Sequence, residues 1–149
     1  MPVTARYDST ENRFVREDSL AAIEKTLRTR ITLAQLNAGF TLLAAVPGFI
    51  YSLIDVTLIA IGGAATTGTS VNVIGTRAAS PVQLVVAAIA ALTQSAVLRA
   101  GASNDVVLAD GASFTPLDVN TPITVITVGA AMTVLTNLDV ILEYTMTPA

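Results

Sequence analysis

The sequence predicts an all-β protein, a jelly-roll-like β-sandwich with an extended N-terminal arm and a short helix. Short apolar runs rich in Val, Ile and Thr recur along the chain, and turn residues separate them at nearly regular intervals. The length of 149 residues fits one domain that can bury a sizeable core. We therefore divide the chain into an arm with a helix, residues 1–30, and a sandwich body, residues 31–149.

The N-terminal segment is polar and mixed in charge. A segment of this composition buries little by itself, so it is interpreted either as a frayed terminus or as an arm that orders on a partner. A short helix is predicted from Ser19 to Arg30, where apolar residues recur at helical spacing and basic residues lie at the end. The predicted docking residues of the arm and helix are Tyr7, Arg13, Phe14, Val15, Arg16, Leu20, Ile23 and Leu27.

The body is organised around one long strand predicted from Phe49 to Ile61, after a Pro47–Gly48 turn. Both alternating sets of its side chains are largely apolar, which predicts cover on both faces. About eight strands are expected in all. The others are Ile31–Leu33, Thr41–Ala44, Val71–Gly75, Val82–Ile89, Asn104–Leu108, Ile123–Val128 and Leu138–Met146. Residues 87–99 fit either a strand or a helical turn.

Charge is distributed unevenly between the two parts. Eleven of the 19 charged residues lie in the first thirty positions, so the body is much poorer in charge than an average globular chain. Two interpretations follow: a membrane protein, or a body whose surface is covered by neighbouring subunits. The uncharged window Ala78–Leu98 contains Pro81 and several polar residues, whereas a spanning helix needs about 20 predominantly apolar residues. We therefore expect no membrane segment.

The composition argues against an enzyme. The chain contains neither Cys nor His, which excludes thiolate chemistry and a Ser/His/Asp triad within it. Trp is absent and no basic patch is visible, so nucleic-acid binding is not expected. We expect no catalytic residue, no cofactor and no small-molecule substrate.

Two groups of residues invite a ligand interpretation. Gly62, Gly63 and Gly68 lie in a small-residue loop, but a phosphate loop needs a following helix and usually a Lys, so an inter-strand loop is favoured. Asp105, Asp110 and Asp118 are the oxygen-rich cluster, together with Asn104 and Asn120. Their spacing matches no calcium loop. Turn formation is the favoured interpretation and no metal is predicted, although the sequence leaves a metal site as the alternative.

Asp55 is a carboxylate in the middle of an apolar strand. A buried charge needs a partner, and Arg77 and Arg99 are the candidates. One interpretation is an inter-subunit salt bridge that sets the docking register. The other places Asp55 on an edge or a wet face. Asp139, inside the last predicted strand, raises the same question.

Several motifs in residues 31–146 resemble those of small tailed-bacteriophage virion proteins, the capsid decoration or cement proteins. They are LNAG at residues 36–39 followed by TLL, the Pro47–Gly48 turn before a strand, IAIGGAA at 59–65, LTQSAVLRAG at 92–101, GASF at 111–114 and the terminal LDVILEYTM.

The resemblance implies a β-sandwich or jelly-roll subunit, usually trimeric, on the outer surface of the virion capsid. There it would bind the phage major capsid protein and stabilise the capsid lattice. We expect deletion of Met1–Arg30 to leave a folded oligomer that no longer binds capsids. The alternative is a virion adhesin or fibre-type module whose body loops bind host surface glycans.

Overall fold

The computed structural model describes residues 5–8, 13–16, 23–100, 105–107 and 112–149. Two antiparallel sheets dominate these residues and share one hydrophobic core, which confirms the predicted all-β sandwich. Its strands are β1 (Ala5–Asp8), β2 (Arg13–Arg16), β3 (Ile23–Thr32), β4 (Phe40–Leu43), β5 (Phe49–Ile61), β6 (Ala65–Thr66), β7 (Ser70–Arg77), β8 (Ser80–Ala88), β9 (Val97–Arg99), β10 (Asp105–Val107), β11 (Ile123–Val128), β12 (Thr133–Val134) and β13 (Asn137–Pro148). One short helix, α1, spans Leu33–Ala38.

The sandwich consists of a four-stranded and a five-stranded sheet. The first has the order β3-β13-β5-β9, and the second has the order β10-β8-β7-β11-β4. Two further pairs, β1 with β2 and β12 with β6, stand outside these sheets. Strands β5 and β11 have the predicted bounds, and residues 87–99 contain the end of β8, a 3-10 turn at Ile89–Ala91 and β9.

The helix predicted from Ser19 to Arg30 is wrong. Residues 23–32 form β3, which pairs with β13 from Ile23–Met146 to Thr32–Asn137. Alternation from Leu27 to the fully buried Ile31 places these side chains toward the core. The long partner strand overrides the helical spacing, because pairing satisfies the backbone along the whole segment. β3 also crosses residue 30, the predicted boundary between arm and body.

The α-helix among the described residues, α1, begins at a capping box. The Thr32 side chain accepts a hydrogen bond from the Gln35 amide at 3.3 Å, and the Gln35 side chain accepts one from the Thr32 amide at 3.0 Å. Leu36 on α1 is fully buried, and Asn37 forms two hydrogen bonds with the backbone of Met132. The helix therefore connects the two sheets and holds the 129–136 loop.

The two apolar faces of β5 are explained by a β-bulge. Glu143 pairs with Asp55 while the next residue, Tyr144, pairs with Leu53, so Ile54 is the extra residue. Before the bulge odd-numbered residues such as Leu53 face the core. After it even-numbered residues such as Leu58 do. Both alternating sets of side chains are apolar largely because each set faces the core along one half of the strand.

Within the described residues, no helix is long and apolar enough to cross a membrane.

Candidate functional site: the two outer faces of the sandwich

Each sheet turns one set of side chains to the core and the other set outward. We name the outer surface of the four-stranded sheet the charged face. It comprises Glu24, Thr26, Arg28 and Arg30 on β3, Asn137, Asp139, Ile141, Glu143 and Thr145 on β13, Asp55, Thr57, Ile59 and Ile61 on β5, and Val97 and Arg99 on β9. Seven of the ten charged residues with described side chains lie on it.

The strongest ion pair of the charged face joins β3 to β13. Arg30 donates to both carboxylate oxygens of Asp139, from Nε at 2.6 Å and from Nη2 at 2.8 Å. The Asp139 side chain is only 5% exposed, and Arg28 approaches it at 3.7 Å. These hydrogen bonds hold the pKa of Asp139 below its ordinary value, although burial opposes the shift. Asp139 therefore finds the charged partners that it needs, Arg30 and Arg28, within the same chain.

A second, looser pair lies at the bulge. Asp55 accepts a hydrogen bond from the Val56 amide at 2.8 Å and pairs with Arg99 at 3.4 Å. Its side chain is 26% exposed. Glu143 lies directly opposite Asp55 in the strand register. Asp55 therefore has an intrachain partner on a partly wet face, and its inter-subunit role stays a prediction.

The outer surface of the five-stranded sheet, which we name the uncharged face, has a different character. None of its described side chains carries a charge, and most are half-buried. They are Thr41 on β4, Ser70, Asn72, Ile74 and Thr76 on β7, Pro81, Gln83, Val86 and Ala88 on β8, and Thr124, Ile126 and Val128 on β11.

A polar pair lies in the middle of the uncharged face. Ser70 donates to the Asn72 side-chain oxygen at 2.7 Å, and the two residues are 5% and 2% exposed. The cross-strand neighbours of Asn72 are the apolar Ile126 and Val86. Among the described residues, the side-chain nitrogen of Asn72 has no hydrogen-bond acceptor. A buried amide without an acceptor is energetically unfavourable.

Arg77 acts at the end of the sandwich rather than beside Asp55. Its guanidinium donates to the carbonyl oxygens of Thr115 at 2.8 Å and Pro116 at 3.3 Å. The adjacent β7–β8 turn has positive φ angles at both Ala78 and Ala79, 51° and 57°. Asp118 accepts hydrogen bonds from both of their amides, at 3.0 and 2.8 Å. Arg77 and the segment 115–118 thus hold this turn from two sides.

The predicted oxygen cluster has structural roles where its side chains are described. Asp118 holds the β7–β8 turn, and Asn120 accepts from the Gly48 amide at 2.6 Å. Asn104 and Asp110 lie outside the described residues, and Asp105 begins β10. Among the described residues, no group of three acidic, His or Cys side chains could hold a metal ion.

The small-residue loop packs against the chain. A Cβ at Gly62 would clash with the Thr136 hydroxyl, and one at Gly63 would come within 2.9 Å of the Val134 carbonyl oxygen. The loop also contains β6, which pairs with β12. These glycines permit close backbone packing, which supports the inter-strand interpretation over a phosphate site.

The predicted docking residues that the structure describes lie in two places, the β1–β2 pair and β3. Tyr7 on β1 is paired with Phe14 on β2, and Arg13, Val15 and Arg16 belong to the same two-stranded pair. Leu20 lies outside the described residues. Ile23 and Leu27 belong to β3, where Leu27 packs against the core. The use of these residues in docking stays a prediction.

Sequence reasoning identified the shortage of charge but missed its division between two faces. The sequence did contain a signal for this division. Every residue of 70–76 and of 124–128 is uncharged, so neither alternating set of side chains carries a charge. Comparison with known proteins finds no matching family, no matching curated protein and no matching solved structure. The resemblance to capsid decoration proteins therefore rests on the sequence motifs alone.

Proposed function

We propose that the chain is a structural virion protein, a capsid decoration or cement protein that binds the outside of a phage head as a homotrimer and stabilises the major capsid lattice. The observation that carries this proposal is the uncharged face. Depletion of charged side chains is typical of the buried centre of subunit contacts. The sequence motifs supply the virion context.

The charged face and the N-terminal arm would form the surface that contacts the capsid. Side chains such as Arg28 and Glu143 make the charged face polar. Val97 lies on the same face and is 62% exposed. A trimer would present three arms at once, and the second and third contacts would form at high effective concentration. Arms such as these are suited to reach neighbouring capsomers.

The proposed mechanism is thermodynamic. A protein that binds the assembled shell and not its loose subunits stabilises the shell by mass action. At a free concentration 100 times the dissociation constant, each occupied site contributes about 2.7 kcal/mol. Many sites on one shell would together resist disassembly by heat or internal pressure. This function requires no catalytic group.

The test is addition of the purified full-length chain to expanded, undecorated heads of the virus that encodes it. We expect co-sedimentation of the chain with heads, saturation at a fixed number of copies per shell, and a higher temperature of shell disruption. Unexpanded heads are the control, since they should bind less. Failure to co-sediment, together with binding to host surface glycans in solution, would replace this proposal with the adhesin alternative.

A further inference from the structure

We infer that two copies of this chain pair through the edge of β3 that faces away from β13, which we name the free edge. The two β3 strands would run antiparallel about a two-fold axis, with Leu27 of one copy opposite Leu27 of the other. Their four-stranded sheets would then continue into each other across the contact. The partner that this edge fits is therefore a second copy of the chain.

β3 is the longest of the strands that lie at the edges of the two sheets. It has ten residues, and among the described strands only β13 pairs with it. The Leu33 amide donates to the Thr136 carbonyl oxygen at 3.1 Å, which continues the ladder from the odd-numbered residues of β3. Because main-chain groups alternate in direction along an antiparallel strand, the even-numbered residues point theirs to the free edge. A row of such groups is recognised by another extended strand.

The charges of β3 are complementary to those of a second β3. With Leu27 opposite Leu27, Glu24 of each copy lies opposite Arg30 of the other, on the charged face. Arg30 is 58% exposed and uses Nε and Nη2 on Asp139, so its Nη1 is left for Glu24. Glu24 is exposed and forms no salt bridge with the described residues. Opposite charges at facing positions stabilise strand pairing, and here the pair occurs twice.

Other two-fold registers are less complementary. Even-numbered residues must face even-numbered residues, because they carry the free main-chain groups, so the strands shift only in steps of two residues. One step sets Arg28 opposite Arg28 of the copy, and like charges at facing positions are destabilising. One step the other way shortens the overlap and sets the charged Lys25 opposite Leu27. In the inferred register Lys25 faces Thr29. Arg28 faces Thr26.

The sequence of β3 thus favours one register. In it, four facing pairs of even-numbered residues would exchange about eight main-chain hydrogen bonds. Charged side chains on an edge strand commonly prevent unwanted pairing. On β3 they exclude the neighbouring registers and leave this one.

The contact is two-fold, so it cannot close the proposed trimer and goes beyond it. Each trimer would carry three β3 edges, and each edge could join it to a neighbouring trimer. On a shell, such contacts would tie the bound trimers to one another. That role rests on the proposed function, whereas the pairing of β3 itself does not.

The test traps the pairing with a disulfide, since the chain has no Cys of its own. Facing residues that exchange no hydrogen bonds have Cα atoms about 4.5 Å apart, which suits a disulfide. Leu27→Cys should therefore form covalent dimers under mild oxidation, as seen on a non-reducing gel. Thr29→Cys is the control, because its own copy lies about 14 Å further along the strand, and it should stay unlinked. Equal linking of the two variants, or none of either, would overturn the inference.

A second measurement covers the case in which Leu27→Cys does not fold. Thr26 is exposed, and in the inferred register it lies diagonal to Thr26 of the copy, about 7–8 Å away. A short bismaleimide should therefore link Thr26→Cys into dimers. Glu24→Arg, added to Thr26→Cys, should abolish this link, because it sets Arg opposite Arg30. Glu143→Arg makes the same change of charge one strand further in and should leave the link intact. An unlinked Thr26→Cys, or equal linking of the two double variants, would contradict the inferred register.

The two proposals fail differently. Linked dimers of Leu27→Cys in solution, from a chain that does not bind heads, would contradict the capsid function and support the β3 contact. Conversely, head binding by the wild type, with Leu27→Cys and Thr26→Cys both unlinked, would contradict the β3 contact only.

Discussion

Arg30 and Asp139 lie directly opposite each other in the β3–β13 register, and their side chains meet through two hydrogen bonds of 2.6 and 2.8 Å. They are separated by 109 positions in the sequence. The pair therefore connects the N-terminal edge strand to the strand that ends the chain. It also places a nearly buried carboxylate under an arginine side chain on the charged face.

The Arg30–Asp139 pair predicts acid sensitivity. The pKa of Asp139 is lowered in the native state, so this carboxylate stabilises the fold fully at pH values above its ordinary pKa of 3.8. That contribution is lost as the pH falls from there through the lowered native pKa. Asp139→Asn should lower the melting temperature at pH 7, and its difference from the wild type should shrink by pH 2–3, as measured by calorimetry.

Glu143→Gln is the control for this prediction, because Glu143 lies on the same face of the same strand and forms no salt bridge with the described residues. It should change the melting temperature little at either pH. An Asp139→Asn deficit that persists unchanged at pH 2 would show that packing, not ionisation, is responsible.

The same region shows where sequence reasoning fails. Residues 23–31 combine helical spacing with a weaker alternation, and local propensity does not decide between them. The decision comes from β13, more than a hundred residues away, which no local pattern reveals. The capping box from Thr32 to Gln35 was a readable signal that a helix begins after this segment. By contrast, β5 and β11 were predicted with the correct bounds, since Pro47–Gly48 and Pro122 precede them.

The β7–β8 turn predicts opposite effects of two Ala→Gly substitutions. Ala79 has φ 57°, a left-handed conformation that costs a residue with a Cβ about 1–2 kcal/mol. Ala79→Gly should therefore stabilise the fold by up to about 1 kcal/mol, after the greater chain entropy of Gly is subtracted. Ala88→Gly is the matched control, since φ there is −64° and the substitution should destabilise by about 0.5–1 kcal/mol. Urea denaturation measures both.

Asp118 should prove important to the same turn. Asp118→Ala removes the acceptor of the exposed Ala78 and Ala79 amides and should cost about 0.5–1.5 kcal/mol. Asp118→Asn keeps one acceptor oxygen and should lie between Asp118→Ala and the wild type. Equal stability of all three proteins in urea would show that solvent satisfies these amides equally well.

The bulge in β5 predicts a contrast between two single-residue deletions. Without Ile54, Asp55 and Leu53 would pair with Glu143 and Tyr144 in regular alternation, so the chain should still fold, with some loss of stability. Deletion of Thr57 would either turn Leu58 and Ala60 outward or bury Asp55. We expect cooperative thermal unfolding from the first deletion and none from the second, measured by circular dichroism. Cooperative unfolding of both would show that register in β5 is loosely specified.

Bulges also limit what the sequence reveals about the faces. Because both alternating sets of β5 side chains are apolar, the sequence predicted that both faces of this strand are covered. The register shift at Ile54 instead explains most of this apolar pattern. The same kind of shift between Val73 and Ile74 moves the inward set of β8. The division between charged and uncharged faces depends on these registers. A shortage of charge is visible in a sequence, but the surface on which it falls requires the strand pairing.

The buried tyrosines predict a difference between two Tyr→Phe substitutions. The Tyr51 hydroxyl donates to the Ala44 carbonyl at 2.8 Å, while Tyr144 packs edge-on against Tyr51 with ring centroids 5.6 Å apart. Tyr51→Phe should cost about 1 kcal/mol, and Tyr144→Phe, which loses no hydrogen bond to the described residues, should cost less. Chemical denaturation compares them, and a larger loss from Tyr144→Phe would contradict the assigned role of the Tyr51 hydroxyl.

The tyrosines also predict behaviour at high pH. Burial raises the pKa of both Tyr51 and Tyr144 above the ordinary value of 10.0. The unfolded chain therefore ionises first, so stability holds below pH 10 and falls as the pH rises beyond it. Phenolate absorbance should show Tyr51 and Tyr144 ionising only above pH 10, together with unfolding. Their ionisation at pH 10 in a chain that is still folded would contradict this prediction.

The boundary of the arm can be tested by two truncations. β3 begins at Ile23 and pairs with β13 over ten residues, so deletion of residues 1–22 keeps the edge strand and deletion of residues 1–30 removes most of it. We expect the shorter truncation to unfold at nearly the wild-type temperature and to keep its oligomeric mass, yet to lose co-sedimentation with heads. The longer truncation exposes one edge of β13 and should unfold at a much lower temperature or aggregate, contrary to the expectation from the sequence that deletion of Met1–Arg30 leaves a folded oligomer. Head binding by the shorter truncation would mean that the body, through its charged face, makes the capsid contact.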